Sequence, residues 1–402
     1  MEPEAPTPVP AAAINQTISG SPSLDPVAVS EGSSVVQPED AGGGPTPKPH
    51  TVRRVFMGPD GLRAGWSAAL FAILLVAFAV ALGTAVSAIA KYVLHTKPGE
   101  SLSAVSAIAG EGTGFLGLLA AAGIMARIER RRLLDYNLRG PRPGVHFATG
   151  LAFGFAALSA LVGALELGGW IHFGPVALSG GQIVLYAVLW TIAFLLVGCV
   201  EEGMFRGYLQ FTLTRGINFW WALGVIACIC VDLLLRGKGN GVWGVYGMAL
   251  LGLLPCLWLH LSKAPGSGFW QAAWVTSTLF GFVHTGNNGE NWIGIFAAAA
   301  IGFVFCVSVR VTGSAWWAIG CHASWDWAET YFYGTADSGL VAKGHLLTTT
   351  PAGAPFWSGG TDGPEGSVLV LGVILLLLIA LLAMYGRRQA MAAEPAAAQA
   401  AG

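Results

Sequence analysis

Ile183-Val184-Leu185-Tyr186-Ala187-Val188-Leu189-Trp190-Thr191-Ile192-Ala193-Phe194-Leu195-Leu196-Val197-Gly198-Cys199 is followed at once by Val200-Glu201-Glu202-Gly203-Met204-Phe205-Arg206-Gly207. The first stretch is apolar enough to lie within a bilayer, and the second puts three charges at its end. A charged side chain at mid-bilayer costs roughly 2.5–3.5 kcal/mol on insertion scales, so such charges need partners or a water-filled cavity and mark a functional site by default. Helix geometry sorts them. At about 100° per residue, Glu202 and Arg206 share one face a turn apart and can neutralise each other. Glu201 points away from Arg206 and is the carboxylate left free. Read alone, the triplet also fits a helix end at the headgroups with Arg206 snorkelling.

Composition widens this reading to the whole chain. Of 402 residues, 54% are hydrophobic and 11% charged, against about 25% charged in a soluble domain. The fold class is all-α, a polytopic transmembrane helix bundle. Ten apolar runs near span length recur at roughly 65–90, 104–126, 146–167, 182–200 (its helix continuing to about 213), 218–235, 241–262, 268–284, 292–310, 314–333 and 367–386. Net charge is −1, which implies no nucleic-acid partner. Residues 1–62 are rich in Pro, Ala, Gly and Ser and read as a disordered cytoplasmic segment, 63–388 as the transmembrane domain, and 389–402 as a disordered tail.

Basic residues set the expected orientation. Arg53, Arg54 and Arg63 precede the first span, and six arginines lie from Arg127 to Arg142. Under the positive-inside rule both termini are cytoplasmic. Lys263, Arg310, Arg387 and Arg388 agree with that count; Arg236 and Lys238 break it. Residues 335–366 read as a polar, Gly/Pro-rich external loop. The six cysteines sit in apolar segments without a CxxC and read as small buried hydrophobes.

Two further groups carry chemistry. Phe280-Gly281-Phe282-Val283-His284 closes the seventh run, and His322-Ala323-Ser324-Trp325-Asp326 lies in the ninth. His322 and Asp326 are four apart, hence on one face, suited to a metal half-site or an oriented acid/base. Either histidine alone also fits a core residue hydrogen-bonded to a neighbour. Glu111, flanked by glycines, can line a cavity; Glu166 reads as interfacial; Asp232 pairs naturally with Arg236 one turn on. Asn287 and Asn288 follow His284 as a turn, or as contacts for a substrate backbone.

Taken together, Glu-Glu-x-x-x-Arg-Gly, Phe-x-x-x-His and His-x-x-x-Asp on apolar helices resemble the CAAX-protease and bacteriocin-processing (CPBP, also Abi) family of intramembrane peptidases. The resemblance spans about residues 65–386 and is strongest at Glu201–Gly207, Phe280–His284 and His322–Asp326. It implies an eight-helix core. Here 83 residues separate Glu201 from His284 with two apolar runs between, which implies an inserted hairpin and preserves helix direction. The prenyl-processing branch usually has Asn where Asp326 stands. Asn can donate to an oxyanion and ionised Asp cannot, so Asp326 reads as orienting His322 or binding a metal.

The resemblance further implies peptide-bond hydrolysis by an activated water in a site buried below the cytoplasmic face. Glu201 is then the base, His284 holds the water or passes its proton on, and His322 donates to the oxyanion. Glu202, Arg206 and Phe280 support the site. Glu201, His284 and His322 also offer donors suited to zinc, although no His-Glu-x-x-His is present. The implied partners are the lipid bilayer and a peptide or lipidated-protein substrate; the implied location is a plasma membrane. The competing reading is a transporter or bacteriocin-immunity scaffold using the same buried charges.

Overall fold

The structure, a computed structural model, describes residues 55–58, 61–92, 103–236, 241–287 and 289–386. Most of the segment expected to be disordered, the tail 389–402, Arg53, Arg54, Lys238, Arg387, Arg388 and Asn288 lie outside the described residues. The helices are α1 (Ala64–Tyr92), α2 (Ala104–Ile128), α3 (Pro143–Leu167), α4 (Gly181–Thr214), α5 (Phe219–Arg236), α6 (Gly241–Met248, running on through Ala249–Leu253 and Leu254–Ser262), α7 (Ser267–His284), α8 (Trp292–Thr312), α9 (Trp316–Asp326, extended by Trp327–Tyr333) and α10 (Leu369–Gly386). Local chemistry sets several ends. Ser103 and Ser106 form a capping box at the start of α2. Pro143 opens α3, where its missing N–H costs nothing. Asn291 caps α8 by accepting from the amides of Ile293 and Gly294, and Gly313, at φ 82°, ends it.

The chain is an all-α polytopic membrane bundle. Eight of these helices are long and apolar enough to cross a bilayer. Their outward faces show the matching pattern: on α1, Ile73, Val76 and Val80 are exposed, as expected where lipid is the solvent. The two helices that fall short are α7 and α9. These carry His284, His322 and Asp326, and they are enclosed by the others. Their polarity is sheltered by burial among helices rather than by span composition.

Small residues bring α9 against α3. A Cβ on Gly150 would overlap the carbonyl oxygen of Trp317, one on Gly154 that of Cys321, and one on Gly320 that of Phe147. Close backbone approach of this kind is the main packing device where no hydrophobic gradient drives helices together. It fixes the depth of His322. Around this contact, Leu158, Leu161, Phe305, Trp317, Val370 and Ile374 form one core. A second, with Phe71, Met125, Phe205, Tyr208 and Phe280, joins α1, α2, α4 and α7. Helices α5 and α6 pack outside α7 and α8, through Phe219, Ile226, Cys256 and Val275, and through Ile229, Met248 and Ile295.

Two ends of the bundle differ in character. At one, the arginine-rich segment 129–142 meets the connections after α4 and α8: Glu129 lies 3.8 Å from Arg215, and the Ala315 amide donates to the Asn137 carbonyl. At the other, strand β1 (Ile171–Val176) pairs antiparallel with β2 (Leu347–Pro351). The segment expected to be a plain polar loop is therefore structured. It also holds short helical turns at Pro355–Ser358 and Pro364–Gly366.

Candidate active site

The charges at the end of the apolar run on α4 fall where the helix changes pitch. Gly203–Leu209 is a π-helical turn rather than a continuation of α-helix, and such single turns cluster at functional sites. Glu202 and Arg206 are fully buried and pair at 3.1 Å. The Arg206 guanidinium lies over the ring of Phe280, 4.3 Å from its centroid, and 5.3 Å from that of Phe305. Gly302 makes room for it: a Cβ there would come within 2.6 Å of Arg206 Nη2. Asn137 Nδ2 donates to the Arg206 carbonyl at 2.7 Å.

His322 stands at the centre. Its Nδ1 lies 2.9 Å from Glu202 Oε1, the same oxygen that Arg206 holds. Its Nε2 lies 3.5 Å from Asp326 Oδ2 and 3.9 Å from Glu201 Oε2. The ring stacks on Phe305 with centroids 5.7 Å apart. A carboxylate only accepts, so the 2.9 Å contact makes Nδ1 the donor to Glu202 and leaves Nε2 facing Glu201 and Asp326. Glu202 therefore does more than neutralise Arg206: it links the guanidinium to the imidazole. Reading α4 by itself cannot find this, because the two residues are 120 positions apart.

His284 is anchored differently. Its Nδ1 is 2.7 Å from the Phe280 carbonyl, which can only accept, so Nε2 is the free nitrogen. Phe280 thus fixes both the guanidinium and the second histidine. A small cavity is lined by Phe280, His284, His322, Trp325, Asp326 and Glu365. Glu201, whose side chain is 31% exposed, reaches His322 but makes no ion pair with His284 within 4.0 Å. Glu111 interacts electrostatically with Glu201 and His322. Asp232 and Arg236 pair at 2.5 Å. Asn287 makes a turn, its amide bonded to the His284 carbonyl and its side chain to Glu290. The cysteines are free.

The cavity leads away from the arginine-rich end. Glu365, from the structured segment before α10, lines it and accepts from Trp325 Nε1 at 2.7 Å. Burial first, then the neighbouring Asp337 and Asp362, push the Glu365 carboxyl up to about 8. Burial, with Asp362 and Glu365, takes Glu290 to about 9. Asp362 rises to about 7, through burial against the Asn291 amide bond that lowers it.

The zinc donors do not gather. Among the described residues, Glu201, His284 and His322 do not form a set of ligand atoms within 4.8 Å of one another; the group that does is Glu329, Asp337 and Glu365. With His322 Nδ1 held by Glu202 and His284 Nδ1 by a carbonyl, one nitrogen on each ring is left.

Residues 256–328 match the family model of the type II CAAX prenyl endopeptidase, Rce1-like. Over these residues the chain is similar to an Rce1-like endopeptidase domain. This agrees with the CPBP resemblance. The matched segment contains Phe280, His284, His322 and Asp326, while Glu201, Glu202 and Arg206 lie before it. No curated protein and no solved structure matches the chain. Together with the eight apolar helices, the match supports an integral membrane protein of the CAAX-type endopeptidase kind.

Proposed function

We propose that this protein is an intramembrane endopeptidase that hydrolyses a peptide bond with a water activated by Glu201, on a lipidated or membrane-embedded peptide. The observation that carries the reading is the meeting of Glu201, Glu202 and Asp326 on His322, beside a cavity that His284 also lines. Glu201 is the general base. It is the one carboxylate of the motif not already committed to Arg206, and it faces the outer nitrogen of His322. Proton removal by a positioned carboxylate typically contributes 10²–10⁴-fold.

His322 donates from Nε2 to the oxygen that becomes negative as water adds. With Nδ1–H given to Glu202, that second donation requires the doubly protonated ring, and Asp326 and Glu202 flank it with the compensating charge. A donor preorganised in a dry site contributes about 2.7–4 kcal/mol. The proton that Glu201 takes from the water goes on to the departing amine by way of His284, whose free Nε2 accepts it and then releases it as the C–N bond breaks. Asp326 accepts only, so its part is to orient His322. The apolar lining from Phe280 and Phe305 suits an acyl or prenyl chain next to the scissile bond.

The test is cleavage of a farnesylated CAAX peptide by purified protein in neutral detergent, read by mass spectrometry. Wild type is compared with Glu201→Gln, with and without a strong chelator. Cleavage that survives chelation and falls at least about 100-fold in Glu201→Gln is the expected result. Wild-type turnover in Glu201→Gln overturns the role of Glu201. Loss under chelation with recovery on zinc overturns the metal-free reading.

A further inference from the structure

Beyond this site, the opposite end of the bundle holds a second cluster of acids. Glu329 lies one turn past Asp326 on the extension of α9, while Asp337 and Glu365 come from the structured segment that follows. One carboxylate oxygen of each lies within 4.8 Å of the others. Acid clusters alone are common, but this one has an unpaired member. Glu329 is 0% exposed, and neither of its carboxylate oxygens has a hydrogen-bond partner. A buried carboxylate without a partner is costly unless something supplies the missing contact.

The other two members have their outer oxygens occupied. Thr330 Oγ1 donates to Asp337 Oδ2 at 2.7 Å, and Trp325 Nε1 donates to Glu365 Oε1 at 2.7 Å. Each of these two carboxylates is thereby oriented by a side-chain donor. Metal-ligating carboxylates are characteristically held by hydrogen bonds of this kind. Among the described residues, no Lys or Arg pairs with any of the three. The donor set is oxygen only, which excludes the imidazole and thiolate preference of zinc. An all-oxygen set suits a hard cation; calcium accepts flexible, irregular sets of carboxylate oxygens, whereas magnesium demands near-ideal octahedral geometry.

We infer that Glu329, Asp337 and Glu365 form a calcium-class divalent cation site that pins the end of α9 to the segment covering the cavity. An ion there lets all three carboxylates ionise together beside Asp326, and Trp325, which lines the cavity, donates to the ion's ligand Glu365. The inference does not depend on peptidase activity, since it concerns residues outside the reacting set.

The probe is terbium(III), whose emission is sensitised by a nearby tryptophan; Trp325 is in contact with a ligand. Calcium-stripped full chain in neutral detergent is titrated with terbium and then with calcium or magnesium. Melting is followed in parallel with calcium or with chelator. A saturable terbium signal displaced by calcium far more readily than by magnesium is expected. Glu329→Gln should weaken both by at least about tenfold, and calcium should raise the melting temperature of wild type but not of this variant. A wild type with neither a saturable signal nor a calcium-dependent melt overturns the site, as does Glu329→Gln binding like wild type. Should Glu329→Gln fail to fold, the wild-type titration and Asp337→Asn decide by the same criteria.

Discussion

The division of labour between adjacent glutamates is the sharpest point at the level of single residues. Glu202 is fully buried and serves both Arg206 and His322, while Glu201 is part exposed and reaches only His322. Their amide variants should therefore fail in different ways. Glu202→Gln leaves the buried Arg206 without its counter-charge, and breaking a buried pair from one side costs about 3–5 kcal/mol. It should melt well below wild type and be inactive. Glu201→Gln should melt within about 1 kcal/mol of wild type, yet lose turnover. Melting and cleavage measured on the same two preparations check this; equal destabilisation by both would remove the distinction. Much of this was legible in the sequence. The pairs Glu202–Arg206 and His322–Asp326 follow from a spacing of four on a helix, and so does Asp232–Arg236. The Glu202–His322 contact was not, because spacing along one helix says nothing about which face of a second helix meets it.

Among helices, the contact of α3 with α9 governs where the chemistry sits. Gly154 lies against the Cys321 carbonyl, one residue before His322. A side chain there must push α9 outward and draw His322 away from Glu202. Gly154→Ala should cost about 1–3 kcal/mol, the usual range for overpacking, and should reduce cleavage more than Gly163→Ala on the same helix. A Cβ at Gly163 meets nothing within 4 Å, so that change should be neutral or stabilise by up to about 1 kcal/mol through helix propensity. Equal melting temperatures for the two variants would argue against close packing at Gly154. The element pattern was read well from hydropathy, since each expected run has a helix. Two features were hidden. Hydropathy does not encode the π turn at Gly203–Leu209, in which Phe205, Arg206 and Tyr208 are buried. Nor does composition reveal that α7 and α9 are the polar interior of the bundle; it rates them only as weaker spans.

Across the whole molecule, the acids at the end opposite the arginines do not stand out in the sequence, because Glu290, Asp337 and the Asp362–Glu365 pair come from separate stretches of chain and interact only through the fold. Their meeting has a consequence for stability. Glu290 is raised from 4.5 to about 9, by burial first and then by Asp362, Glu365 and Asp337; Asp362 is raised from 3.8 to about 7, by burial and Asp337. A carboxyl whose folded pKa exceeds its unfolded one binds more protons in the folded state, so stability falls as pH rises between the two values. The contribution of these groups is complete below about pH 4 and is lost as pH climbs through about 7 for Asp362 and about 9 for Glu290. This is opposite to the usual salt-bridged acid, which is stabilised as pH rises. With chelator present, the melting temperature should decline from pH 5 to pH 9, and Glu290→Gln, which needs no proton to be neutral, should flatten the upper part of that decline. Asn287 can still bond the amide carbonyl, so the local turn is preserved. Calcium, if held by the neighbouring Glu329, Asp337 and Glu365, demands ionised ligands, so the stabilisation it adds should grow over the same pH range. A melting temperature that rises with pH in chelator would mean these carboxyls are ionised in the fold and already neutralised by something other than protons.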